Sequence, residues 1–171
     1  MKVVAHQLAG LLDAGGLLTG DDVHARAAGI WDPSPLEADV LVRPRTTDEV
    51  AAILALCHAL GQPVVPHGGL TGLVKGAQTR PGDLVLSTER MTRIEDVDVA
   101  GRTLTVQTGV TLQAAQEAAE AAGLQLALDL GARGSCTIGG NLATNAGGNR
   151  VIRYGMARDQ VLGLEAVLAD G

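Results

Sequence analysis

Glycine is spread along this chain in a way that few folds accommodate. Gly68, Gly69, Gly72, Gly76 and Gly82 fall in one short stretch, and Gly131, Gly134, Gly139, Gly140, Gly147 and Gly148 in another. The chain holds 23 glycines in 171 residues without the every-third-residue period of collagen. Glycine lets a second backbone or a ligand come close, so two concentrated clusters predict two irregular loops shaped around something. The length suits one ordinary domain or two small packed subdomains.

Composition narrows what those loops serve. With 46% hydrophobic and 19% charged residues, and no run of 18 apolar residues, the sequence predicts a soluble globular chain rather than disorder or a membrane span. Phe is absent, and Trp31 and Tyr154 are single. The core is therefore expected to be aliphatic, with Trp31 anchoring the segment around it. Thirteen Lys and Arg face 19 Asp and Glu, a formal charge of -6, and no basic stripe with interleaved aromatics appears, which argues against nucleic acid as a partner. Cys57 and Cys136 lie far apart and His6, His24, His58 and His67 are scattered; no metal site or redox pair is expected. The N-terminus lacks a charged start followed by an apolar stretch, so the expected location is cytoplasmic.

Periodicity organises the chain into three parts. Residues 1–37 read as an amphipathic helix over 3–14, stopped by Gly15-Gly16, followed by an irregular crossing over Thr19–Glu37. Residues 38–92 read as a βαβ unit. Ala38–Val42 is its first strand, Thr46-Thr47-Asp48-Glu49 caps a helix running to Gly61, and Pro63–Pro66 is a parallel second strand. Leu84–Ser87 adds a strand. In residues 93–171, Ile94–Val99 and Thr103–Thr108 form an antiparallel hairpin and Thr111–Ala122 a helix closed by Gly123. Leu124–Leu130 and Val161–Leu168 read as strands. The final Asp170-Gly171 is a hairpin-turn dipeptide with no return strand after it, so this last part is expected to be incomplete, a C-terminally truncated motif.

The first glycine loop leaves the carboxyl end of a strand, where open α/β sheets bind ligands. Neither loop has the spacing of a Walker or a Rossmann phosphate loop, and Ser135 has no nucleophile elbow around it and no histidine after it. What remains are backbone amides, with Thr71 in the first loop and Ser135, Thr137, Asn141, Thr144 and Asn145 in the second. Successive amides in turn conformations can hold a pyrophosphate without a cationic side chain. Asn141 and Asn145 can both donate and accept toward ribose, phosphate or a heterocycle edge.

Pro66-His67-Gly68-Gly69-Leu70-Thr71-Gly72-Leu73-Val74-Lys75-Gly76 resembles the pyrophosphate loop of FAD-linked oxidases and dehydrogenases of the vanillyl-alcohol-oxidase type. Residues Gly131 to Gly148, with Arg153-Tyr154-Gly155 and Val161-Leu162-Gly163-Leu164-Glu165, resemble the D-2-hydroxyacid dehydrogenase branch. That branch includes D-lactate and D-2-hydroxyglutarate dehydrogenases and the glycolate oxidase flavoprotein subunit.

The resemblance implies an α+β fold, the p-cresol-methylhydroxylase (PCMH) type of FAD-binding domain, built of two α/β subdomains over 38–92 and 93–171. It implies non-covalent FAD held by Pro66, His67, Gly68, Gly69, Leu70, Thr71 and Gly72 at the pyrophosphate. Ser135, Ile138, Gly139, Asn141, Thr144, Asn145 and Gly147 would line the flavin and ribityl region. It further implies oxidation of a small D-2-hydroxy acid to the 2-oxo acid by hydride transfer to flavin, with an unidentified electron acceptor. The substrate cap domain and the later glycine-rich segment of such enzymes lie outside this sequence, so no catalytic residue is assigned. The chain alone is expected to bind FAD weakly or not at all and to turn over nothing. The alternative is a non-catalytic remnant or interaction domain that keeps the fold without flavin.

Single residues carry further expectations. His67 is read as a polar contact beside the cofactor rather than a covalent attachment point. Cys136 is read as a small buried hydrophobe and Cys57 as helix core. Arg153, Arg158 and Asp159 are read as pairing with one another, and Lys75 as either solvated or turned toward phosphate.

Overall fold

The computed structural model describes residues 2–171. They fall into two units, Met1–Arg90 with Glu165–Gly171, and Met91–Leu164.

The first unit opens with α1 (Lys2–Ala9), shorter than the expected 3–14. Thr19–Glu37 is not an irregular crossing. It holds the last residue of β1 (Leu17–Thr19), the short α2 (Asp21–His24) and a hairpin of β2 (Ala27–Gly29) and β3 (Asp32–Pro35). These elements are too short for a sequence period to show. β4 (Val40–Val42), α3 (Thr47–Leu60) and β5 (Val64–His67) follow as expected, then β6 (Leu84–Ser87). The four-stranded sheet runs β1-β4-β6-β5. β1 is antiparallel to β4, with Leu18 opposite Leu41, while β4 and β5 both run parallel to β6, which lies between them.

Why these residues fold this way is local. Thr46 caps α3 by accepting from the Glu49 N–H at 3.2 Å, and the Glu49 carboxylate accepts from the Arg45 N–H at 2.7 Å, so two otherwise orphaned donors are satisfied. Gly61 closes the helix with φ 63°. Alternate strand residues then divide between the two faces. Val40, Val42, Leu84 and Leu86 pack with Leu8, Ile53 and Cys57, while Leu41 and Val85 pack with Val23, Leu36 and Ala38. Residues 165–171 belong to this unit through α3: Thr47 Oγ1 donates to Glu165 Oε2 at 2.8 Å, and Gly171 lies so close that an added Cβ would stand 2.6 Å from Ala51 O.

The second unit begins with the antiparallel pair β7 (Ile94–Asp98) and β8 (Thr103–Val106). α4 (Leu112–Ala121) is capped by Thr111, which accepts from the Ala114 N–H at 3.2 Å. α5 (Ile138–Ala143) and α6 (Val151–Tyr154) complete the helices. Leu112, Leu128, Cys136 and Ala157 form the buried core. Two expected strands are absent. Leu124–Leu130 is irregular apart from one bridge between Asp129 and Gly148, and the Leu128 carbonyl accepts from Gln116 Nε2 at 2.7 Å instead of from a neighbouring strand. Val161–Leu168 is not extended into a ladder either: Leu162 and Leu164 are 84% and 75% exposed. Alternation predicts a strand's two faces, but a strand forms only where a second backbone supplies its hydrogen bonds, and none of the described residues does so here. No described helix is long and apolar enough to cross a membrane.

Candidate functional site

The first glycine loop begins where edge strand β5 ends, at Pro66 and His67. His67 is 3% exposed. Its Nε2 lies 2.8 Å from the Ala77 carbonyl oxygen; a carbonyl only accepts, so Nε2 carries the hydrogen and donates. Ala77 ends the 3-10 turn Lys75–Ala77, so this one bond joins the exit of the loop to its entrance. Burial pushes the His67 pKa below its ordinary value, outweighing the opposite effect of the Ala77 bond, and the imidazole stays neutral. Arg26 and Glu89 act on it with opposite signs and are paired with each other through two bonds of 2.9 Å. Arg43 adds a third bond to Glu89 at 3.1 Å. Burial pushes the Glu89 carboxyl up, but the arginine bonds outweigh it and hold it below its ordinary value.

Inside that closed loop the main-chain N–H groups of Gly68, Gly69, Leu70, Thr71 and Gly72 find no acceptor among the described residues. Gly68 to Thr71 are only partly exposed. Consecutive half-buried donors without acceptors are unusual in a folded chain and form a concavity that anionic oxygens satisfy. Leu70 sits at φ 55°. Its carbonyl accepts from the Ile30 N–H at 3.2 Å, so the β2–β3 hairpin holds the left-handed residue in place.

The second loop uses most of its polar groups internally. Thr137 caps α5, accepting from the Gly140 N–H at 3.3 Å. The N–H groups of Ile138 and Gly139 donate to Val110 and Thr108, each at 2.8 Å. Gly139 lies against Thr108 so tightly that an added Cβ would meet the Thr108 hydroxyl and stand 2.8 Å from its Cβ. Thr144 Oγ1 donates to Gly140 O at 2.9 Å, and Ser135 Oγ to Ala132 O at 3.3 Å. Asn141 is buried, with Nδ2 3.6 Å from Cys136 Sγ. Asn145, at φ 48°, places Nδ2 3.6 Å from Met156 Sδ and accepts from the Arg158 N–H at 3.1 Å. Among the described residues the Gly147 N–H has no acceptor. The two loops therefore differ: the first presents a row of open donors, the second a braced frame with isolated open positions. Each set of expected residues is gathered within its own unit.

Asp129 braces that frame. It is buried, and its Oδ1 lies 3.2 Å from Arg133 Nη2 without the alignment of a hydrogen bond. Its Oδ2 lies 3.5 Å from Arg150 Nε. Cys57 and Cys136 are both free and buried, with burial pushing each thiol up. Two residue readings change. Arg158 lies 3.8 Å from Asp159, but Arg153 instead stacks over the Tyr154 ring at 5.2 Å. Trp31 is not a core anchor; it is 69% exposed.

Sequence reasoning missed Ile30 as the donor to Leu70, Arg26 and Glu89 beside His67, and Thr108 against Gly139. Gly29 and Gly139 were the available signals, since both mark close approaches: an added Cβ at Gly29 would stand 3.2 Å from Leu70 O.

The family described as "FAD binding domain" matches residues 38–171. D-2-hydroxyglutarate dehydrogenase of Xanthomonas citri pv. viticola is 48% identical over 82% of this chain, and the mitochondrial D-2-hydroxyglutarate dehydrogenase of Bos taurus 51% over 77%. A putative mitochondrial D-lactate dehydrogenase of Schizosaccharomyces pombe is 41% identical over 79%. The chain spans 29%, 24% and 26% of the lengths of these three relatives. Among solved structures, an alkyldihydroxyacetonephosphate synthase superposes with TM-score 0.83 at 20% identity, over 95% of this chain and 32% of that one. 6-Hydroxy-D-nicotine oxidase from Arthrobacter nicotinovorans gives 0.78 at 23%, over 94% and 35%, and p-cresol methylhydroxylase 0.70 at 17%, over 85% and 30%. By its matched sequence the chain belongs to the FAD-binding domain family, and its fold is that of the PCMH-type flavoenzymes.

Proposed function

We propose that this chain is the FAD-holding part of a dehydrogenase that oxidises a D-2-hydroxy acid to the 2-oxo acid, with D-2-hydroxyglutarate the first substrate to test. The row of unpaired amides from Gly68 to Gly72 carries the cofactor half of this reading. The names of the related dehydrogenases support the substrate half. FAD, when bound, supplies a two-electron acceptor for hydride from the substrate α-carbon. The amides of Gly68 to Gly72 hold its pyrophosphate by charge-assisted hydrogen bonds, and the neutral His67–Ala77 bond keeps that row open. With Nε2 already donating to Ala77, His67 serves as a structural clasp, which favours non-covalent binding. This chain contributes binding and orientation, and no base for the substrate hydroxyl is assigned to it.

The test is a titration of the purified chain with FAD, followed by flavin fluorescence. Weak FAD binding is the expected result for a chain that spans 29% and 24% of the lengths of these relatives, and Gly69→Pro, which deletes one donor, weakens it further, about tenfold or more, because a hydrogen bond to a charged group contributes about 1.5–3 kcal/mol. Gly76→Ala, where an added Cβ meets nothing within 4 Å, leaves affinity unchanged. Absence of binding would return the chain to the flavin-free alternative. With D-2-hydroxyglutarate or D-lactate and a reducible dye, this chain alone is expected to give no turnover; dye reduction with either would overturn that expectation and identify the substrate.

A further inference from the structure

The first unit also contains a hollow of ≈190 Å³ whose lining includes Gly29, Trp31, Asp32, Gly72, Val74 and Lys75. Gly72 belongs both to this wall and to the row of unpaired amides. A ligand that lays a diphosphate along that row therefore brings one of its ends to the hollow. At its border stands Trp31, the single tryptophan of a chain without phenylalanine. Its indole is left exposed where burial of a large aromatic would otherwise contribute to the core. Beside it Asp32 is fixed, accepting from Gln78 Nε2 at 2.7 Å and from the Ser34 N–H at 3.1 Å. These bonds, the one from Gln78 foremost, hold its carboxyl below the ordinary value. An ionised acceptor, an ammonium group and an exposed indole around one small hollow suit a flat, polar-edged heterocycle.

Resting on the reading that the Gly68–Gly72 amides hold a pyrophosphate, we infer that this hollow receives one planar end of the dinucleotide, stacked on Trp31. Adenine and the flavin ring share the required chemistry, and the measurement separates them. Trp31→Leu weakens FAD binding about tenfold, the range expected for loss of one base–aromatic stack, and Trp31→Phe restores most of it. Because the side chain is exposed, neither substitution shifts the unfolding temperature. ADP and riboflavin, used separately as competitors, identify the end: the one whose affinity falls in Trp31→Leu occupies the hollow. ADP is transparent where tryptophan emits, so contact by its adenine also shows directly as quenching of the only indole.

Several results would overturn the inference. Equal FAD affinity in wild type and Trp31→Leu would do so while leaving the pyrophosphate reading intact. A loss that phenylalanine does not restore, or one accompanied by a lower unfolding temperature, would make Trp31 merely structural. No FAD binding by the wild-type chain would remove both readings together.

Discussion

Gly148→Ala is expected to destabilise the second unit by on the order of 3 kcal/mol. Two effects add at this position. Gly148 has φ 108°, a backbone conformation in which an L side chain is strained. An added Cβ would also run into the Asp129 carbonyl oxygen and stand 2.9 Å from the carbon behind it. Both obstacles are backbone, so no rotamer change relieves them. Moving the Asp129 main chain would disturb its bond from the Asn149 N–H, 3.2 Å in the native structure, and draw a buried carboxylate away from Arg133 and Arg150. Hydrogen exchange checks this at the amides of the second unit, because the chain has two units and a single unfolding midpoint need not describe both. Protection that stays at its wild-type level would show that the bridge between Asp129 and Gly148 is dispensable. Gly76→Ala serves as the control and should stay within about 0.5 kcal/mol.

His67→Ala is expected to destabilise the first unit by about 2 kcal/mol near neutral pH, through loss of packing and of the donor to Ala77. Its pH dependence is more diagnostic. In the unfolded chain a histidine titrates near about 6.5, and burial lowers the value in the fold. Below about pH 6.5 the unfolded state therefore binds more protons than the folded one. The contribution of neutral His67 is fully present above that pH and declines as pH falls toward the depressed folded value. Hydrogen exchange in the first unit at about pH 7.5 and about pH 5.5 should show the wild type losing stability with acid and His67→Ala losing less. His67→Gln retains a donor without the titration, so it should recover part of the neutral stability and keep the flatter acid response. Parallel pH responses in all three chains would rule out a buried neutral imidazole.

What was legible in the sequence follows the range over which each signal acts. α3 was readable because Thr46, Glu49 and Gly61 specify its ends within a few residues, and β4, β5 and β6 because short apolar runs sit between turn residues. The β2–β3 hairpin was not, since Ala27–Gly29 and Asp32–Pro35 carry no alternation and are held by contacts such as that between Ile30 and Leu70. Leu124–Leu130 failed in the opposite sense. Its alternation is real, but Gln116 takes the Leu128 carbonyl and no strand among the described residues pairs with it. The first loop is legible from its glycines and from its place at the carboxyl end of a strand, whereas its defining property, donors without acceptors, depends on His67 reaching Ala77. In the second loop, glycine marked tight packing as much as openness: Gly139 is there for Thr108 and Gly148 for Asp129.

The grouping of Glu165–Gly171 with Met1–Arg90 has a consequence for how the chain is made. The first unit is discontinuous, and everything from Met91 to Leu164 must leave the ribosome before its last segment can dock on α3. Closing so long an intervening stretch is entropically slow compared with the local steps that form a hairpin or a helix. During synthesis the second unit can therefore acquire its structure while the sheet of the first still lacks the segment that reaches Thr47 and Ala51.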